Sequence, residues 1–128
     1  MNITNQVEFD AEAYNQVCPT DQDKEDVADA AFAAMKGKTP AEINQFAYEV
    51  QKRVMEVEYD YDIHASLGAS KLGGCLSVDE WLKTPAADDL DAAIRKVVHR
   101  RHAEGKCRFL IAQFGWNLGA DLAFNMLI

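Results

Sequence analysis

From Ile43 to His64 the apolar positions recur without a break. Ile43, Ala47, Val50, Val54, Val57, Tyr61 and His64 follow one another at alternating steps of four and three. Such spacing keeps one stripe on one side of an α-helix and is the heptad pattern of a helix packed lengthwise on a neighbour. The start is marked as well. Thr39-Pro40-Ala41-Glu42 combines a capping box with proline at the first helical position. A helix from about 40 to 65 follows, roughly 39 Å long at 1.5 Å per residue. A strand competes over part of it, because Val57, Tyr59, Tyr61 and Ile63 alternate with Glu58, Asp60 and Asp62. Aspartate is poor in strands and the seam runs through the stretch intact, so the helix is preferred.

Three further helices are readable around this one. The first follows Pro19, with Thr20 or Asp21 as its cap and Asp23, Glu25 and Asp26 near the positive end of its dipole. Its packing side is the narrow stripe Val27, Ala30, Ala31 and Ala34, with Phe32 and Met35 beside it, and Gly37 ends it. After a loop marked by Gly68, Gly73 and Gly74, a second capping box at Ser77-Val78-Asp79-Glu80 starts a short helix through Trp81 and Leu82. Thr84-Pro85 then starts another, with Asp88, Asp89 and Asp91 in its first turns, Leu90, Ile94, Val97 and Val98 as its core face, and Gly105 as its stop. Residues 1–18 suit an irregular arm followed by a short helix.

The last stretch, 107–128, supports two readings. Gln113, Asn117, Asp121 and Asn125 are four apart, and Gly115, Gly119 and Ala123 form a second row at the same spacing. Both rows fit a nearly buried helix with one polar stripe and one groove of small residues. Against that, Trp116, Leu118, Ala120, Leu122, Phe124, Met126 and Ile128 alternate as strands do. The expected fold is therefore mainly α, a small helical bundle built on one long helix, in one domain over 1–128. The alternative is α+β with strands within 107–128.

Charge narrows the function classes. The chain carries a net −8, but residues 1–65 hold −9 and residues 66–128 hold +1. An acidic surface of this kind repels nucleic acid and attracts a basic protein surface, so no direct nucleic-acid partner is expected. The polar row interrupts 107–128 too often for a membrane span. Cys18, Cys75 and Cys107 are odd in number and far apart, which reads as free thiols in a reducing compartment. With neither a basic start nor an apolar run over Met1 to Asp10, the cytoplasm is the expected location.

Few residues are arranged for chemistry. His99 and His102 lie one turn apart, but a metal site needs a third ligand; Glu104 is poorly placed, and Arg100 and Arg101 repel cations. A basic, solvated helix end that matches the dipole explains the same residues. Glu56, Glu58, Asp60 and Asp62 lie mostly off the seam and read as a solvated acidic face. Cys75 stands just ahead of a helix start, where a thiol can be activated, yet spacing places no histidine beside it. Neither a cofactor nor a metal is expected.

The best-supported expectation is a non-enzymatic interaction module of a bacterium or its phage, with Glu49, Glu56, Glu58, Asp60 and Asp62 facing a partner protein with a basic surface. In its narrower form it is an inhibitor that occupies a nucleic-acid-binding surface of that partner. A small enzyme or ligand-binding domain, with a pocket near Cys75 and the Gln113–Asn125 row, is the alternative. A homodimer would place the heptad seam against a second subunit; a monomer would turn it into its own core, which is preferred. Val50→Asp then yields unfolded chain, because an unpaired buried carboxylate costs several kcal/mol against a total stability of about 5–15 kcal/mol. Glu56→Lys, off the seam, costs under about 0.5 kcal/mol. Sizing chromatography with circular dichroism measures both; a folded monomer from Val50→Asp would place the seam at a subunit interface.

Overall fold

A computed structural model describes residues 17–70, 72–105 and 111–127. The arm and short helix expected in 1–18 fall almost wholly outside these residues, as does Cys107. The protein is mainly helical, and the described residues include no strand. The elements are α1 (Asp21–Met35), α2 (Pro40–Ser66), two single turns of 3-10 helix (Gly68–Ser70 and Leu72–Gly74), α3 (Val78–Leu82), α4 (Asp89–Ala103) and α5 (Ile111–Leu127).

The starts of three helices obey the same local chemistry. The side chains of Thr20, Thr39 and Ser77 accept from the backbone N–H of Asp23, Glu42 and Glu80, and those carboxylates accept from the capping residues' own N–H groups. Each reciprocal pair satisfies two donors that a helix start otherwise leaves open. The fourth start differs from expectation. Thr84-Pro85 does not begin α4; Asp88 caps it by accepting from the Asp91 N–H, and the helix begins at Asp89. Thr84 instead takes its place at the end of α3, where its hydroxyl donates to the Trp81 carbonyl. Gly37, at φ 79°, follows α1 in the left-handed region that glycine enters without strain.

The long helix is the centre of the bundle. Its seam residues Ile43, Ala47, Val50, Val54, Val57 and Tyr61 are buried, joined by Phe46 and Glu58. Val57 and Tyr61 lie within the continuous helix, so the alternation over 57–63 makes no strand. One cluster links it to Val27 and Ala31 of α1, Trp81 of α3, Ile94 and Val98 of α4, and Phe114, Leu118 and Leu122 of α5. Each such aliphatic side chain contributes about 1.5–3 kcal/mol when removed from water. In α1 the packed stripe is Asp23, Val27, Ala31 and Met35, while Ala34 points outward.

The row Gly115, Gly119, Ala123 explains why the last segment is a helix and not two strands. A Cβ on Gly119 would stand 2.7 Å from Ala47 Cα and 2.9 Å from the Ala47 carbonyl oxygen. One on Gly115 would stand 2.9 Å from Val54 Cβ. Two of the smallest residues thus bring the backbone of α5 against that of α2, and Ala123 is buried in line with them. The alternation of Trp116 through Met126 carries no β pairing: Leu118 and Leu122 are buried, whereas Phe124 is exposed.

Gly119→Ala tests this packing. Alanine is the better helix former by about 1 kcal/mol, but its methyl group meets backbone that cannot rotate away. A net loss of about 1–3 kcal/mol is expected from urea unfolding, as for overpacked cores. A gain in stability would mean that the helices do not touch at this residue.

Candidate functional site

The basic end of α4 is not a solvated end. Arg101 is 2% exposed; its Nη1 donates to Asp23 Oδ2 at 3.0 Å and its guanidinium lies 3.7 Å over the Phe114 ring. Arg100 bonds both Asp23 and Asp26, and Lys96 stands 3.6 Å from Asp26. The dipole-matching explanation of these cations is therefore incomplete: they clamp α4 to the acidic start of α1. Asp23 has two duties, since the same side chain closes the capping box at Thr20. Arg95 turns elsewhere, donating to the Thr84 carbonyl and covering the Trp81 ring at 4.7 Å.

The histidines of α4 face α2. His102 Nε2 lies 2.6 Å from Glu58 Oε2, and the His102 ring stacks on Tyr61 with centroids 4.1 Å apart and planes 10° apart. His99 Nδ1 shares a hydrogen bond of 3.0 Å with the Tyr61 hydroxyl. Burial, then the charges of Glu58 and Asp79, push the Tyr61 phenol above its ordinary pKa, so it stays protonated. This corrects the reading of Glu58, which is buried and engaged inside the molecule instead of standing on an acidic face. Asp62 is half-buried, and one ligand atom each from Glu58, Asp62 and His102 lies within 4.8 Å of the others. Of the two α4 histidines only His102 belongs to this group; the other two donors come from α2.

Cys75 does have a histidine neighbour: its Sγ lies 3.4 Å from His64 Nδ1. Gly68 makes this possible, because its Cα lies where any side chain would overlap the Leu76 carbonyl, which brings the loop back onto the end of α2. The pair is poorly suited to nucleophilic catalysis. His64 Nδ1 is also 2.7 Å from the Leu76 carbonyl oxygen, and a nitrogen that donates there cannot accept the thiol proton. Trp81 stacks on the His64 ring, with centroids 5.3 Å apart. The polar row of α5 is likewise engaged: Gln113 donates to Asn117, Asn117 to the Val17 carbonyl, and Lys24 pairs with Asp121 at 3.7 Å. Asn125 is exposed. Gly115 lies on Val54 and Gly119 on Ala47, so the row runs toward the start of α2, whereas Cys75 lies by His64 near its end. An open cleft of about 790 Å³ lies elsewhere, between α1, α2 and the start of α4, with Ala33, Ala34, Met35, Phe46 and Leu90 on its walls.

The side of α2 opposite the seam carries Tyr48, Met55 and Tyr59, exposed by 57%, 51% and 68%. Tyr48 meets Trp116 of α5 edge-on, with centroids 4.5 Å apart. Glu56 and Asp60 are exposed beside this stripe. Glu49 is half tied, since it accepts from Arg53, which also bonds Asp88. Of the five acids expected to face a partner, Glu56 and Asp60 stand open, Glu49 and Asp62 lie at the edges, and Glu58 is inside. Tyr59 was missed as a site residue because it entered only the strand argument, and Tyr48 entered none; their position opposite the seam was already in the spacing. No helix among the described residues is long and apolar enough to cross a membrane. Comparisons with protein-family models, curated proteins and solved structures find no match for this chain.

The clamp predicts a pH response. The Arg100 hydrogen bond holds Asp26 below its ordinary pKa against the opposing effect of burial, and the Asp91 N–H, followed by Arg53, does the same for Asp88. Both carboxyls bind protons less readily folded than unfolded, so they add stability above the ordinary aspartate value of about 4 and lose it as pH falls below that. Thermal melts across pH should show this loss. Asp26→Asn should lower stability by about 1–2 kcal/mol at neutral pH and flatten the acid limb; an unchanged limb would remove Asp26 from the clamp's energetics.

Proposed function

We propose that this protein is a non-enzymatic interaction module that docks onto a partner protein with a basic surface through the outward face of α2. The observation that carries the reading is the exposed stripe Tyr48, Met55 and Tyr59, edged by Glu56 and Asp60. Tyrosine and methionine are enriched in the cores of protein interfaces. A rigid aromatic ring on a long helix offers large contact area for little lost freedom, and tyrosine is frequent among residues that dominate binding energy. The carboxylates at its edge favour a cationic partner and speed the encounter. A partner whose basic surface also binds nucleic acid would be inhibited by such docking.

The test uses immobilised protein and cell lysate treated with nuclease, with retained proteins identified and the interaction repeated with purified partner. A basic partner should be held at low salt and released as salt rises. Tyr59→Ala, on an exposed side chain, should leave the melting temperature unchanged and weaken binding at least tenfold, and Glu56→Lys with Asp60→Lys should slow association. For a nucleic-acid-binding partner, added nucleic acid should compete. Equal retention by the wild type and Tyr59→Ala would overturn the docking face.

A further inference from the structure

We propose that Glu58, Asp62 and His102 form a binding site for a divalent first-row transition ion, with zinc the best fit. The three side chains come from two helices, α2 and α4, and the donors at 58 and 102 are brought together by the fold and not by the chain. Their ligand atoms already lie within 4.8 Å of one another. Glu58 and Asp62 are one helical turn apart, so both carboxylates leave α2 on the same side. The Glu58 and His102 side chains are 11% and 19% exposed, which limits competition from water, while the half-buried Asp62 leaves a route in.

The geometry must adjust in two directions: the widest spread, up to 4.8 Å, must close, and the tightest pair must open. Tetrahedral zinc with donors at about 2.0–2.1 Å sets neighbouring ligand atoms about 3.3 Å apart. His102 Nε2 and Glu58 Oε2 are 2.6 Å apart, so they must separate by several tenths of an ångström, within reach of a glutamate rotation. The His102 ring needs no such search, because stacking on Tyr61 holds its plane. An imidazole with two carboxylates favours zinc and its neighbours over calcium or magnesium, which take oxygen alone. Three protein ligands leave a coordination position for water. The site borders the core, since His102 stacks on Tyr61 of the core cluster.

Cobalt(II) is the direct probe. It should be titrated into tag-free, chelator-treated full chain, followed by zinc competition. Visible d–d bands should grow to one equivalent with no thiolate-to-cobalt charge-transfer band, and zinc should abolish them. Asp62→Asn should weaken binding at least tenfold and His102→Gln more, while Cys75→Ser leaves it unchanged; circular dichroism checks that each variant is folded. If His102→Gln fails to fold, Asp62→Asn at the exposed edge decides. The proposal is overturned by an absence of bands, by bands that survive Asp62→Asn, or by a charge-transfer band that Cys75→Ser removes, since that would place the ion at Cys75 and His64.

Discussion

Everything in this molecule is arranged around the contact of α5 with α2. Gly119 lies on the backbone of Ala47 and Gly115 on Val54, with no room for a methyl group at either. Close approach of two helix axes increases the number of atoms in van der Waals contact along both helices, and each contact adds a little to a large sum. It also explains the composition of α5. Asp121 is the only charged residue from Ile111 to Leu127, and Phe114, Leu118 and Leu122 can then reach the core shared with α1 and α4. With one long side of α2 covered by α5 and α4, its opposite side is the one that faces water, and there Tyr48, Met55 and Tyr59 are displayed.

The uneven charge of the sequence has a structural meaning within the same frame. The acidic first half and the basic end of α4 meet as Asp23 and Asp26 against Lys96, Arg100 and Arg101. Burying an arginine as deeply as Arg101 is costly, and its pairing with Asp23 largely offsets that cost without making the pair a net source of stability. What the pair supplies is a demand: α1 must sit where Asp23 can reach Arg101. Other acids stand outside this clamp and outside the Glu58–His102 contact, among them Glu56 and Asp60 on α2, which are exposed. The protein thus uses part of its negative charge to orient its own helices and leaves part of it at the surface.

How far the sequence was legible follows from the range of each signal. The seam of α2 up to Tyr61 and the capping boxes at Thr39 and Ser77 are local, and the structure has them where the spacing puts them; of the two caps the spacing allowed for α1, Thr20 or Asp21, the structure takes Thr20. The start of α4 was misread because Thr84-Pro85 has the composition of a helix start, while Asp88, four residues on, has the better-placed acceptor for the Asp91 N–H. The small-residue row pointed to a close helix contact but could not name Ala47 and Val54 as its partners. Glu58 follows Val54 by four and precedes Tyr61 by three, so it belongs to the edge of the buried stripe. Its acidic character hid this, and its partner His102 lies 44 residues away, beyond the reach of any local pattern. His64 and Cys75 meet through a loop whose return depends on Gly68, and no periodicity encodes such a return.

Proton–proton contacts measured by NMR in solution test the central contact most directly. The α-protons of Gly119 should show strong nuclear Overhauser effects to the Ala47 methyl and α-proton, and those of Gly115 to the Val54 methyls, with α2 helical throughout. If the glycine α-protons give effects only to neighbours within α5, the two helices do not meet, and the arrangement of the bundle described here is wrong.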